Sequence, residues 1–106
     1  MLERKYQAEL IKKLRILFVG CVIVKNDSSY LQGIPDLLIL WHDRWGMLEV
    51  KMDVDSPCQP NQEYYIDILD QMSFAAFICP ENEEEVLNAL QSAFAARRKT
   101  RRSQRE

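Results

Sequence analysis

With 106 residues, 47% of them apolar and 28% charged, the chain is long enough for one compact domain and too short for two. The opening stretch, residues 1–9, is too polar for a secretory leader. No apolar run approaches the ~18 residues that span a bilayer, so a cytoplasmic domain without membrane association is expected. Cys21, Cys58 and Cys79 are odd in number and far apart, and His42 stands alone, which excludes a thiolate or histidine zinc cluster and points to reduced thiols, mostly buried.

The net charge of −2 hides an asymmetry. Of 14 Lys and Arg, six (Arg97, Arg98, Lys99, Arg101, Arg102 and Arg105) fall in the last ten residues, with only Glu106 of the 16 acidic residues beside them. That segment carries 6 − 1 = +5, and residues 1–96 carry 8 − 15 = −7. The chain therefore divides into a domain over 1–96 and a basic, disordered tail over 97–106, which serves either a polyanionic partner or solubility alone.

In chain order, Leu2, Tyr6, Leu10, Leu14 and Leu17 recur at three- and four-residue steps and predict a helix over 2–18, closed by Gly20. Cys21 to Val24 is a β-branched run and reads as a strand. Residues 26–33 are rich in turn formers and read as a loop. Leu37 to Trp41 is continuously apolar, as in a strand covered on both faces. Residues 42–46 turn the chain, and Met47 to Lys51 returns as the next strand. A loop with two prolines leads to a second helix, with Pro60 in its first turn and Tyr65, Ile68, Leu69 and Met72 on its inner face. Phe74 to Cys79 is a fourth strand. Pro80 and the glutamates Glu81, Glu83, Glu84 and Glu85 open a last helix that buries Val86, Leu87, Leu90 and Phe94. The expected fold class is α/β, in the order α-β-β-β-α-β-α, with a mixed sheet flanked by helices.

The chemistry concentrates in Gly33-Ile34-Pro35-Asp36, an apolar strand, a turn, and Leu48-Glu49-Val50-Lys51. Strand residues two apart face the same side, so Glu49 and Lys51 project together while Val50 points to the core. If the strands pair as a hairpin, Asp36 and Glu49 lie close to each other. Two such carboxylates repel unless a cation lies between them, and Mg²⁺ prefers oxygen donors. A metal held there lowers the pKa of a bound water and neutralises charge on a phosphate, with Lys51 placed to steady the attacking water. The plainer alternatives are Asp36 as a turn cap, Glu49 and Lys51 as an exposed cross-strand pair, and Trp41, Trp45, Tyr64 and Tyr65 as core or rim residues.

With these residues the sequence resembles the PD-(D/E)XK nuclease superfamily, Pro35-Asp36 and Glu49-Val50-Lys51 being its two halves. More narrowly, Gly33-Ile34-Pro35-Asp36 before an apolar strand is similar to the compact stand-alone VRR-NUC nucleases of phages. The resemblance implies a restriction-endonuclease-like αβββαβ core with an extra C-terminal helix. It implies an Mg²⁺- or Mn²⁺-dependent endonuclease acting on branched or junction DNA, working as a homodimer, in the cytoplasm of a bacterial host if phage-encoded. Asp36, Glu49 and the Val50 carbonyl are then metal ligands and Lys51 is catalytic. A glutamate of the first helix joins them, Glu9 as the better match and Glu3 as the alternative. A catalytic glutamine opens the second helix, Gln62 by spacing or Gln59 by its Ser-Pro-x-Gln context. The tripeptide that names the VRR-NUC group is missing. The same fold without catalysis, as a nucleic-acid-binding or protein-interaction module, is the alternative reading.

Overall fold

A computed structural model describes residues 2–96, so the tail over 97–106 lies outside the described residues. The elements run α1 (Glu3–Leu17), β1 (Val22–Lys25), β2 (Leu37–Trp41), β3 (Arg44–Val50), α2 (Gln62–Met72), β4 (Ala75–Ile78) and α3 (Glu83–Ala95), the expected order. The four strands form one sheet in the order β1-β2-β3-β4. The first three are antiparallel and β4 runs parallel to β3, which makes the sheet mixed.

The helices divide between the faces of the sheet. Tyr6, Leu10 and Leu14 recur every four residues on α1, and Val86, Leu87, Leu90 and Phe94 form the matching stripe on α3. Both stripes meet Leu37, Ile39, Leu48, Val50 and Ile78 from the sheet in one core cluster. Each fully buried aliphatic side chain there contributes ~1.5–3 kcal/mol. A Cβ on Gly46 would stand 3.0 Å from the Leu90 side chain, so the missing side chain lets α3 lie close on β3. At the mouth of this layer Tyr6 donates to Glu83 at 2.8 Å and Lys13 pairs with Glu83 at 2.5 Å, joining α1 to the first turn of α3. Buried beside that carboxylate, the Tyr6 hydroxyl has its pKa pushed up, by burial first and by the Glu83 bond second.

α2 packs against β3 and β4, with Leu69 outside the main cluster. Several sequence expectations are corrected here. β2 is buried at Leu37 and Ile39 but open at Leu40, because no helix among the described residues covers the other face of the β1–β2 ribbon, where Val22 and Val24 are also exposed. β3 begins at Arg44 rather than Met47, since His42 takes a positive φ of 58° and turns the chain within two residues. Pro60 stands before α2, whose cap position is Asn61, and Met72 is exposed while Gln62 is buried. Pro80 and Glu81 likewise precede α3, with Asn82 at its cap. Cys58 is exposed, whereas Cys21 is half-buried and Cys79 buried, and all three are free thiols. No helix among the described residues is long and apolar enough to cross a membrane.

Candidate functional site

β2 and β3 pair with Leu37 opposite Leu48, which brings Asp36, just before β2, beside the end of β3. There Asp36 Oδ2 accepts the Val50 N–H at 2.9 Å. Two contacts from Asn26, at the end of β1, fix the backbone at this point. Its N–H donates to the Asp36 carbonyl and its Nδ2 to the Pro35 carbonyl, both at 2.8 Å. Asn26 gave no signal in the sequence beyond being a turn former.

Glu49 and Lys51 project to one side as strand alternation requires, and they are buried, at 4% and 9% exposure. Gln62, in the first turn of α2, completes the group. Its Oε1 accepts from Lys51 Nζ and from the Gln59 N–H, both at 2.8 Å, and its Nε2 donates to Glu49 Oε2 at 2.9 Å. Two donors on one side and a carboxylate on the other fix which way the amide faces. Lys51 Nζ also donates to the Pro57 carbonyl at 3.0 Å and stands 3.9 Å from Glu49 Oε2. Gln62 is thus the glutamine whose side chain joins the site. Gln59 contributes only its backbone, and its own side chain is exposed.

One atom is left over. Glu49 Oε1 is buried and finds no hydrogen-bond partner among the described residues. A buried carboxylate oxygen without a donor costs free energy, and two facing carboxylates are both acceptors. Burial first, then the negative charge of Asp36, outweigh the lowering by Lys51 and push Glu49 up to about 8. A shared proton or a cation between them reconciles this pair.

Glu9 does not join them. Tyr6, Leu10 and Leu14 define the inner face of α1, and at 100° per residue Glu9 falls to the side of that face, where it is exposed. Glu3 is exposed as well, on the same side as Leu10 but one turn beyond the core. Among the described residues no group of three or more His, Cys, Asp or Glu gathers where it could hold a metal. The donor set at the site is therefore two carboxylates and backbone. The Val50 N–H faces Asp36, and in a strand the carbonyl of the same residue opens to the same edge. Such an oxygen-only set suits Mg²⁺, which keeps several waters when protein-bound.

The aromatic residues separate into two roles. Trp41 packs edge-on to Phe18 at 5.2 Å and its indole donates to the Val19 carbonyl, so it is structural. Tyr64 is exposed and meets Tyr65 edge-on.

Gly33 couples the two halves of the site. It takes a φ of +94°, and a Cβ there would stand 2.6 Å from Asn61 Cβ and 2.8 Å from the Pro60 carbonyl oxygen. The loop carrying Asp36 therefore rests directly on the start of α2, which carries Gln62. Gly33→Ala is expected to cost ~1–3 kcal/mol from backbone strain alone. The clash adds to it, giving a fall in Tm on the order of 10 °C by calorimetry. An unchanged Tm would mean this contact is not formed.

No protein-family model, curated protein or solved structure matches the chain.

Proposed function

We propose that the chain is a divalent-metal-dependent nuclease of the PD-(D/E)XK kind with a restriction-endonuclease-like core. The observation that carries this is the buried Glu49, with an unpartnered Oε1 beside Asp36 and with Lys51 two residues on. The α-β-β-β-α-β order of the first six elements supports the reading. Mg²⁺ or Mn²⁺ would be held by Asp36, Glu49 and the Val50 carbonyl, and when bound would supply charge neutralisation and an activated water. Asp36 is aimed by Val50 N–H and Asn26, and Glu49 by Gln62. Lys51 carries a fixed positive charge beside the carboxylates, where negative charge on a phosphate would build up. Gln62 positions both Glu49 and Lys51 and does not itself need to touch substrate.

The substrate on this reading is DNA, with branched or junction forms favoured, because so small a domain has little surface for reading a base sequence. A homodimer belongs to the proposal, with the uncovered Val22, Val24 and Leu40 face as apolar surface for it. Light scattering that gives a monomer with and without DNA would remove that element. The central test is an assay of the purified chain on linear, flapped and branched DNAs with Mg²⁺ or Mn²⁺ against EDTA. Cleavage confined to the metal-containing reactions is expected. A folded protein that cuts none of them with either metal would leave the fold with a binding role only.

A further inference from the structure

A cavity of about 350 Å³ has Lys51 of the candidate site in its lining. That is within the range of roughly 300–1,000 Å³ typical of small-molecule sites. It sits where the parallel strands β3 and β4 end together, joined there by the Lys51 N–H on the Ile78 carbonyl. Phe77 lines one side. It pairs in register with Glu49, so the ring stands next to the candidate site on the same face of the sheet. Asp53 and Glu63 add carboxylates to the lining. Asn82 is a fixed part of the rim, its amide spent on the Cys79 N–H and the Phe77 carbonyl.

The lining selects among occupants. Asp53 and Glu63 outnumber Lys51 in the lining, so a phosphate is repelled. An aromatic side chain with carboxylates around it accepts a flat, neutral group that carries N–H donors. Adenine, cytosine and guanine offer an exocyclic amino group, whereas thymine offers only a ring N–H flanked by two carbonyl oxygens, which a carboxylate repels. We propose that this cavity takes the unstacked base of the nucleotide next to the scissile phosphate, with its amino group on Glu63 and its ring against Phe77. This rests on the nuclease reading above and narrows its substrate. The nucleotide beside the cut must be unpaired, as at a flap or a junction, and thymine is disfavoured there.

The experiment uses flapped DNAs with each of the four bases, an abasic spacer or the fluorescent base 2-aminopurine at every position around the branch. Binding and 2-aminopurine emission are read in Ca²⁺, and cleavage in Mg²⁺ and Mn²⁺. At one position the three amino-bearing bases should bind and react about tenfold better than thymine, the size of one hydrogen bond to a charged group. The 2-aminopurine emission should change at that same position. Glu63→Ala should erase the ranking, and Glu63→Gln, which still accepts, should retain part of it. Cleavage with no base ranking and no emission change would overturn the pocket and leave the nuclease reading intact. A ranking in binding and emission without cleavage in either metal would keep the pocket and sink the hydrolytic reading. Absence of all three responses would overturn both.

Discussion

Asp36→Asn should lower the rate of metal-dependent DNA cleavage by a thousandfold or more while leaving the protein folded. The amide oxygen of asparagine can still accept the Val50 N–H, so the backbone contact that aims this residue survives. What is lost is one of two negative charges facing a cation, worth several kcal/mol of charge stabilisation, with each ~1.4 kcal/mol a factor of ten in rate. Lys51→Met should separate a second role. Its ammonium is not a metal ligand, so Mn²⁺ binding measured by calorimetry should persist while the rate falls by about 10²–10³. The methionine leaves Gln62 Oε1 with only the Gln59 N–H, and some loosening of the loop over 53–60 should accompany the loss. Circular dichroism and the Mn²⁺ titration distinguish that loosening from a collapsed site. Near-normal cleavage by either variant would take Asp36 or Lys51 out of the chemistry.

What the sequence revealed and what it hid follow from the range of the signals. Hydrophobic period and turn residues act locally, so α1, β2, α3 and the element order were legible, as was the hairpin that sets Glu49 and Lys51 near Asp36. The sequence offers two glutamines, Gln62 by its spacing and Gln59 by its Ser-Pro-x-Gln context. Only the folded loop shows that the Gln62 amide, and not that of Gln59, reaches Glu49 and Lys51. Distance along the chain from β1 favours Glu9, yet helix phase governs which way a residue points, and Leu10 and Leu14 set that phase. The apolar run of β2 suggested cover on both faces, but cover depends on where helices end up, and α2 lies over β3 and β4 instead. Asn26 and Asn61 carry no local signal, because each acts through tertiary contact. Asn26 holds the Pro35 carbonyl, and Asn61 sits against Gly33 in a left-handed conformation with φ of 71°. A close approach between two loops has no periodic signature.

The second large effect is on stability and follows from Glu49. Its pKa rises from an ordinary 4.5 to about 8, through burial first and the Asp36 charge second, against the opposing pull of Lys51. In metal-free protein between those two pH values, the folded state holds a proton on Glu49 that the unfolded chain has already released. Folding stability from this group is therefore full below about pH 4.5, declines as pH rises through the window, and is flat again above about 8. The slope where the two states differ by a whole proton is about 1.4 kcal/mol per pH unit. Thermal melts in EDTA from pH 5 to 9 should show Tm falling for the wild type relative to Glu49→Gln, whose side chain does not titrate. Added Mg²⁺ should reverse the sign of the comparison near pH 8. A cation takes the place of the proton, so the wild type gains stability by mass action while Glu49→Gln gains little. Metal affinity should also strengthen as pH approaches 8, since binding must displace that proton. A wild-type-minus-variant Tm difference that stays constant from pH 5 to 8 would mean Glu49 ionises normally. In that case its unpartnered oxygen must be met by water, and the carboxylate pair would no longer single out a cation.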